Sequence, residues 1–395
     1  MKTREQILQE VKNLNKKHLL LALPTGLGKS ALALHLALDG TQAPKVLIVY
    51  PQTILKKNWK DEIIKWGYES HLKSDIQFTT YKSLHKYADV AWNAVIFDEG
   101  HHITERVLEI ISSMTINHAY ILSATVKPAI RYRLEIAFPG LYSYRMTMHE
   151  AIDSDILPEP TIIKIPLQLS TIGETENIIK NPKATHTILV PYSKRFGCND
   201  KKVRYLIPCT QAQYYMDLCA QVDFYDRKFK STGMKAMEHL KLNKAGERLK
   251  WLASKKTDFV VGLLSKLKNE RVLSFCGSVD QTELLGAHCI HHKQKKKSQV
   301  ILDEFNEGKI KHITAVAMLD EGQNLVNCRI GVFVNINASD RMQIQRTGRI
   351  LRHKNPIIII PYYVHTREEE IVDGMLQGYK PELIKTITNL NELLL

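Results

Sequence analysis

The sequence predicts an α/β protein built from more than one parallel-sheet domain, and three observations carry this expectation. The chain has 395 residues, more than one ordinary compact core accommodates. The stretches "KVLIVY", "AVIFDE" and "AYILSAT" are near-continuous apolar runs, as strands buried on both faces of a parallel sheet require. Such runs alternate with helical stretches, the order expected of βα units.

The first unit is the most informative. "HLLLA" (His18 to Ala22) reads as a short buried strand and "SALALHLAL" (Ser30 to Leu38) as a helix rich in Ala and Leu. Between them lies "LPTGLGKS", a glycine-bearing turn in the strand-to-helix setting that a phosphate-binding loop needs. Gly26 and Gly28 permit a tight turn with inward-pointing N–H groups, and the helix adds its positive end. Lys29 would reach the β- and γ-phosphates, and the Ser30 hydroxyl would ligate Mg²⁺. The pattern asks for a small residue five places before Gly28, where this chain has Leu23.

A second site supports the first. "AVIFDEGHH" (Ala94 to His102) is an apolar strand ending in two acids. Asp98 would hold Mg²⁺ through water and Glu99 would activate the attacking water as a general base. His101 would link this site to neighbouring loops.

Composition bounds the rest. Hydrophobic residues make up 44% and charged residues 24% of the chain, as in soluble globular proteins. No run approaches the roughly 20 apolar residues of a membrane span. "MKTREQILQE" lacks the apolar core of a secretory signal, so a cytoplasmic location and no membrane partner are expected. Six cysteines without a CxxC pair suit a reducing compartment. "HCIHHK" (His288 to Lys293) lacks a second ligand group at a recognised spacing and reads as a strand end with solvated histidines. The net charge of +14 favours a polyanionic partner, of which nucleic acid is the foremost.

The form Asp98-Glu99-Gly100-His101, together with "PTGLGKS", resembles the DExH-type superfamily 2 helicases and translocases. Further stretches follow that family's motif order. "YPQTILKKNW", with Pro51, Gln52, Lys56, Lys57 and Trp59, resembles motif Ia, which contacts the nucleic-acid backbone. "FTTYKSL", with Thr79 and Tyr81, resembles the Thr-Tyr-x-Ser-Leu element. "YILSATV", with Ser123 and Thr125, resembles motif III, which couples the ATP and nucleic-acid sites. "RVLSFCGSV", ending near Ser278, resembles motif IV. "MLDEGQNLVNC", with Glu321, Gly322 and Asn324, resembles motif V, and "QIQRTGRILRH" resembles motif VI. At helical spacing Arg346, Arg349 and Arg352 share one side of a helix.

The resemblance implies two tandem RecA-like parallel-sheet lobes. The first would span residues 1–148, a proline-bearing linker 149–169, and the second lobe 170–395, with a helical insertion around 209–258. The final stretch from Val372 would form a helix pair. ATP and Mg²⁺ would occupy the cleft. Pro24, Thr25, Gly26, Leu27, Gly28, Lys29 and Ser30 would hold phosphate, and Gln6 the adenine. Gln345, Arg349 and Arg352 would complete the site from lobe two, beside Glu321, Gly322 and Asn324. Pro51, Gln52, Lys56, Thr79, Tyr81 and Ser278 would face nucleic acid, with His101, Ser123 and Thr125 coupling the sites. The implied activity is an ATP-dependent DNA helicase or translocase working on duplex or branched DNA. The motifs look closer to phage, restriction-type and Swi/Snf-like DNA enzymes than to DEAD-box RNA helicases. A phage-encoded monomer in replication, recombination or repair is the expectation, with host cytoplasm as its location and protein partners in such a complex. The alternatives are an RNA helicase and a motor subunit that needs a partner complex.

Overall fold

The computed structural model describes residues 3–39, 44–53, 55–123, 128–286, 288–316, 325, 327–336, 339 and 346–393. Lobe one holds a six-stranded parallel sheet. Its strands are β1 (His18–Ala22), β2 (Val46–Tyr50), β3 (Ile76–Thr80), β4 (Trp92–Phe97), β5 (Ile116–Ser123) and β6 (Tyr142–Arg145). They run in the order β3-β2-β4-β5-β1-β6. Helices α1 (Arg4–Asn13), α2 (Lys29–Leu38), α3 (Leu55–Lys65), α4 (Glu105–Ser113), α5 (Pro128–Ala137) and α6 (Met148–Asp153) complete the lobe.

The apolar runs are buried as their patterning requires. Leu19, Leu21, Val46, Ile48, Ala94 and Ile96 face one cluster with α2 and α3. Leu20, Leu47, Val49, Val95 and Phe97 face a second cluster with α4 and Leu134. Successive side chains on opposite faces, both dry, explain why these strands have no polar alternation.

Lobe two is larger. Its strands are β7 (Thr161–Leu167), β8 (Glu176–Lys180), β9 (His186–Leu189), β10 (Val203–Cys209), β11 (Val272–Phe275), β12 (Cys289–Ile290), β13 (His312–Ala315), β14 (Ile330–Phe333), β15 (Ile357–Tyr363) and β16 (Ile384–Thr386). Seven form one parallel sheet, β12-β13-β11-β14-β15-β7-β16, and β8, β10 and β9 form a separate small sheet. Two long helices, α7 (Gln211–Thr232) and α8 (Lys235–Lys255), pack against each other as a hairpin. Gly233 between them takes the left-handed conformation, with φ +64°, that ends α7.

Two expectations need correction. Thr161–Leu167, expected within the linker, is a strand paired on both sides, with β15 and with β16. The connection between lobes is therefore shorter than residues 149–169. The stretch around 209–258 is helical, and what the sequence did not indicate is the small sheet between Glu176 and Cys209 that precedes it. The C-terminal stretch is one helix, Arg367–Leu376, followed by a turn at Gly378 and the edge strand β16, rather than two helices. A buried ion pair braces this end of lobe two: Lys256 donates to Glu368 Oε1 at 2.7 Å, and Glu368 Oε2 accepts from Tyr363 N at 3.0 Å.

Candidate active site

The phosphate loop leaves β1 where Leu23 N donates to Ser123 O at 3.1 Å. Leu23 itself lies fully buried in the lobe-one core, which accounts for a large residue at a position where a small one is usual. Gly26 and Gly28 have φ of +93° and +94°, a region other residues rarely adopt. Gly28 is the N-cap of α2 and supplies no side-chain hydrogen bond. The first N–H groups of α2 thus lack the cap that a Ser or Asp would give, and the helix presents donors and its positive end to an anion.

Lys29 Nζ donates to Leu23 O at 2.9 Å, so the ammonium is folded back over its own loop. Desolvation lowers its pKa from the usual lysine value; the negative charges of Glu99 and Asp98 oppose that, and Arg352 of lobe two adds to it. Ser30 is half-buried beside it.

Asp98 stands at the C-terminal end of β4. Its Oδ1 accepts from Glu99 N at 3.0 Å and its Oδ2 from Trp59 Nε1 at 2.9 Å. Its own carbonyl accepts from Tyr81 OH at 2.7 Å. Burial, with Glu99 adjacent, pushes the carboxyl up to about 7, against the pull of Trp59, Lys29 and the Glu99 amide. Glu99 has a left-handed backbone, with φ 50° and ψ 57°, a strained setting of the kind that gathers at functional sites. Its Oε2 lies 3.3 Å from His101 Nδ1. Gly100 is required sterically, because a Cβ there would run into Ile121 of β5. The acid pair, the loop and the buried Ser123 therefore share one edge of the sheet, the C-terminal edge where open parallel sheets bind ligands.

The donor set fits a hard divalent cation. A carboxylate oxygen has two lone-pair directions, and each Asp98 oxygen spends one on an N–H donor, Oδ1 on Glu99 N and Oδ2 on Trp59 Nε1. A hydroxyl and a carboxylate are the ligands Mg²⁺ takes when it also binds phosphate. Among the described residues no cluster of three or more His, Cys, Asp or Glu could hold a metal ion without such help.

Lobe two closes directly on the loop. A Cβ added to Gly348 would lie 2.6 Å from Thr25 Cβ and 2.7 Å from Thr25 O. Leu351 is buried within the lobe-one core cluster. Arg349, one residue from Gly348, is buried at this junction, whereas Arg352 is exposed. Helical structure covers 346–350, so Arg352 lies in the following turn and the expected three-arginine stripe is not one continuous helix face. Arg346 faces inward, donating to Asn335 O at 2.9 Å and lying 5.0 Å over the Phe275 ring. Gln345, Glu321, Gly322, Asn324 and Thr125 lie outside the described residues.

The remaining expected residues divide. Gln52 and Lys56 are exposed, Pro51 is half-buried, and Lys56 Nζ lies 5.7 Å over the Phe78 ring. Thr79 and Tyr81 are 5% and 6% exposed, which corrects their expected place on the nucleic-acid face. Tyr81 is a brace for the acidic motif instead. Ser278 caps the helix Val279–Leu285 by accepting from Gln281 N at 3.1 Å. Gln6 accepts from Thr3 N at 2.7 Å in a capping box, and it is the neighbouring Arg4 that reaches the loop, at Gly26 O, 3.2 Å away. The contacts of Trp59 and Gly348 were not assigned from sequence. Leu55, Trp59 and Ile63 follow core periodicity, and only the polar indole nitrogen hints at more.

Comparison with known proteins agrees with this geometry. Residues 1–128 match the family model of the type III restriction enzyme res subunit, and residues 255–354 that of the helicase conserved C-terminal domain. The DNA 3'-5' translocase XPB2 of Sulfurisphaera tokodaii is 23% identical over 364 residues, 87% of this chain and 76% of the relative. The crystal structure of the Pyrococcus furiosus Hef helicase domain superposes with a TM-score of 0.50 at 14% identity, covering 95% of this chain and all of that one. S. cerevisiae Dbp5 bound to RNA and ADP BeF3 superposes with a TM-score of 0.54 at 11% identity, covering 94% of this chain and 85% of that one. The structural neighbours share the fold of two tandem RecA-like lobes, and the two family models together with the translocase relative make the chain a nucleic-acid-dependent ATPase. The chain belongs to the superfamily 2 helicases and translocases.

Proposed function

We propose that this protein is an ATP-driven DNA translocase that remodels duplex or branched DNA. The observation that carries the reading is the joint at the cleft: an uncapped α2 N-terminus and Lys29 face Asp98 and Glu99, while Gly348 and Arg349 of lobe two close on the same loop. The loop amides and Lys29 bind the phosphates. Ser30 and Asp98 hold Mg²⁺, which neutralises developing charge on the phosphate oxygens when bound. Glu99 orients and deprotonates water, with His101 steadying its carboxylate. Arg349 adds positive charge from lobe two, an arrangement that accelerates hydrolysis by roughly 10³- to 10⁵-fold in related chemistry.

ATP favours the closed cleft because both lobes then touch its γ-phosphate. Hydrolysis removes that shared contact and releases lobe two, so each turnover shifts the lobe equilibrium. Exposed Gln52 and Lys56 lie beside the acidic edge of lobe one and grip the DNA backbone without reading its sequence. DNA is preferred to RNA because the acidic motif reads Asp-Glu-Gly-His and the curated relative is a DNA translocase. The protein serves replication, recombination or repair. The test is displacement of a third strand from a DNA triplex. ATP-dependent displacement from duplex DNA supports the reading, and displacement confined to RNA-containing substrates overturns it.

A further inference from the structure

Helix α3 faces three different surroundings along one broad side. Lys56 is exposed at its start. Trp59, three residues on, is buried and donates its indole N–H to Asp98 Oδ2 at 2.9 Å. Glu62, three residues further, lies within electrostatic reach of Arg352 of lobe two. Residues three apart on a helix are neighbours, so these side chains move together with the backbone that carries them.

The ring of Trp59 packs in the lobe-one core with Leu55 and Ile63, which leaves it little freedom of its own. Asp98 also accepts from the adjacent Glu99 amide and from Tyr81 OH, and its own N–H donates to Val49 O of β2. Trp59 is the donor that comes from a helix whose outer surface bears Lys56. A shift of α3 therefore reaches the Asp98 carboxylate through the indole.

We propose that Trp59 is a positioning residue that transmits DNA contact on α3 to Asp98. DNA phosphate pulling on Lys56 draws α3 toward its engaged position, and Trp59 then fixes the Asp98 oxygen where the nucleotide site needs it. Because a misplacement of about 1 Å at a catalytic group costs on the order of 10²-fold in rate, a small helix movement suffices to switch turnover. The proposal rests on the DNA-stimulated ATPase reading above, and the experiment separates the two.

The chain carries four tryptophans, so 5-fluorotryptophan labelling gives four ¹⁹F resonances, and Trp59→Phe identifies the Trp59 line by its loss. The Trp59 line is expected to move when duplex DNA alone is added, and again with Mg²⁺-ADP alone. In Trp59→Phe the DNA stimulation of ATP hydrolysis is expected to fall about tenfold or more, with the DNA concentration for half-stimulation unchanged. A merely structural role would lower melting temperature and leave the stimulation ratio intact. Should Trp59→Phe fail to fold, Lys56→Ala keeps the test, since it is expected to blunt the DNA-induced movement. A Trp59 line indifferent to DNA, or full stimulation in Trp59→Phe, overturns the proposal. If the line moves yet no polymer stimulates the wild type, the functional reading fails and the coupling stands.

Discussion

Replacing Gly348 by alanine places a methyl carbon 2.6 Å from Thr25 Cβ and 2.7 Å from Thr25 O. Carbon atoms rest at about 3.5–4.0 Å from their neighbours, so the lobes must part by roughly 1 Å to admit it. One of the two obstacles is main-chain oxygen, which no rotamer change removes. Overpacking of this kind costs about 1–3 kcal/mol, which at about 1.4 kcal/mol per tenfold is a loss of roughly 5- to 150-fold in the closed population. Arg349, the next residue, is carried away with the helix. DNA-stimulated kcat is therefore expected to fall about 10- to 100-fold. The sign of the stability effect separates this cause from misfolding. Within a helix, Gly→Ala adds about 0.5–1 kcal/mol, so the isolated lobe gains rather than loses. Gly246→Ala serves as the control, because nothing lies within 4 Å of a Cβ in that α8 position. Steady-state ATPase and thermal melting on the two variants read both quantities. Wild-type kcat in Gly348→Ala refutes the interlobe contact, and a lower melting temperature refutes the assignment of the loss to closure.

Three further outcomes follow from the same geometry. Lys29→Ala is expected to abolish ATP hydrolysis while leaving nucleotide-free DNA binding largely intact, read by phosphate release and by fluorescence anisotropy; equal loss of both marks a misassigned site. Lys256→Met leaves Glu368 buried without its cation and is expected to cost roughly 3–5 kcal/mol in denaturant unfolding. The double change Lys256→Met with Glu368→Gln, which keeps an acceptor for Tyr363 N, is expected to recover part of that. Asp98 binds its proton more tightly in the folded nucleotide-free protein, its pKa standing near 7 against an ordinary 3.8. The folded state then carries the extra proton between about pH 4 and 7, and this group's contribution to stability is lost as pH rises through that window. Melting temperature of wild type minus that of Asp98→Asn is expected to fall from pH 5 to 7.5, and a flat difference contradicts it.

The phosphate loop and acidic motif were legible because their chemistry imposes local spacing: glycines at two turn positions, a lysine after them, and acids ending an apolar strand. Strand β7 was not, because Pro158, Pro160 and Pro166 read as a breaker-rich linker. The structure shows why a proline is tolerated there. Lys164 O accepts from Ile387 N on the β16 side, so Pro166, two residues on, faces the same side. Pairing with β16 covers only Ile162 to Lys164, and the missing N–H of Pro166 falls beyond its end. The small sheet of β8, β9 and β10 left no apolar run to read, because β9 is exposed throughout and β8 and β10 bury few side chains. Tyr81 was misplaced for another reason. The Thr-Tyr-x-Ser-Leu element fixes residue order, but whether its tyrosine points out or inward to Asp98 O depends on the packing of β3 against β4's neighbours.

The most direct test of the central claim is phosphate release by the purified chain with no polymer, single-stranded DNA, duplex DNA, branched DNA or RNA. Strong stimulation by duplex or branched DNA is the expected result. Stimulation by RNA alone, or by none of the polymers, would contradict a self-sufficient DNA motor.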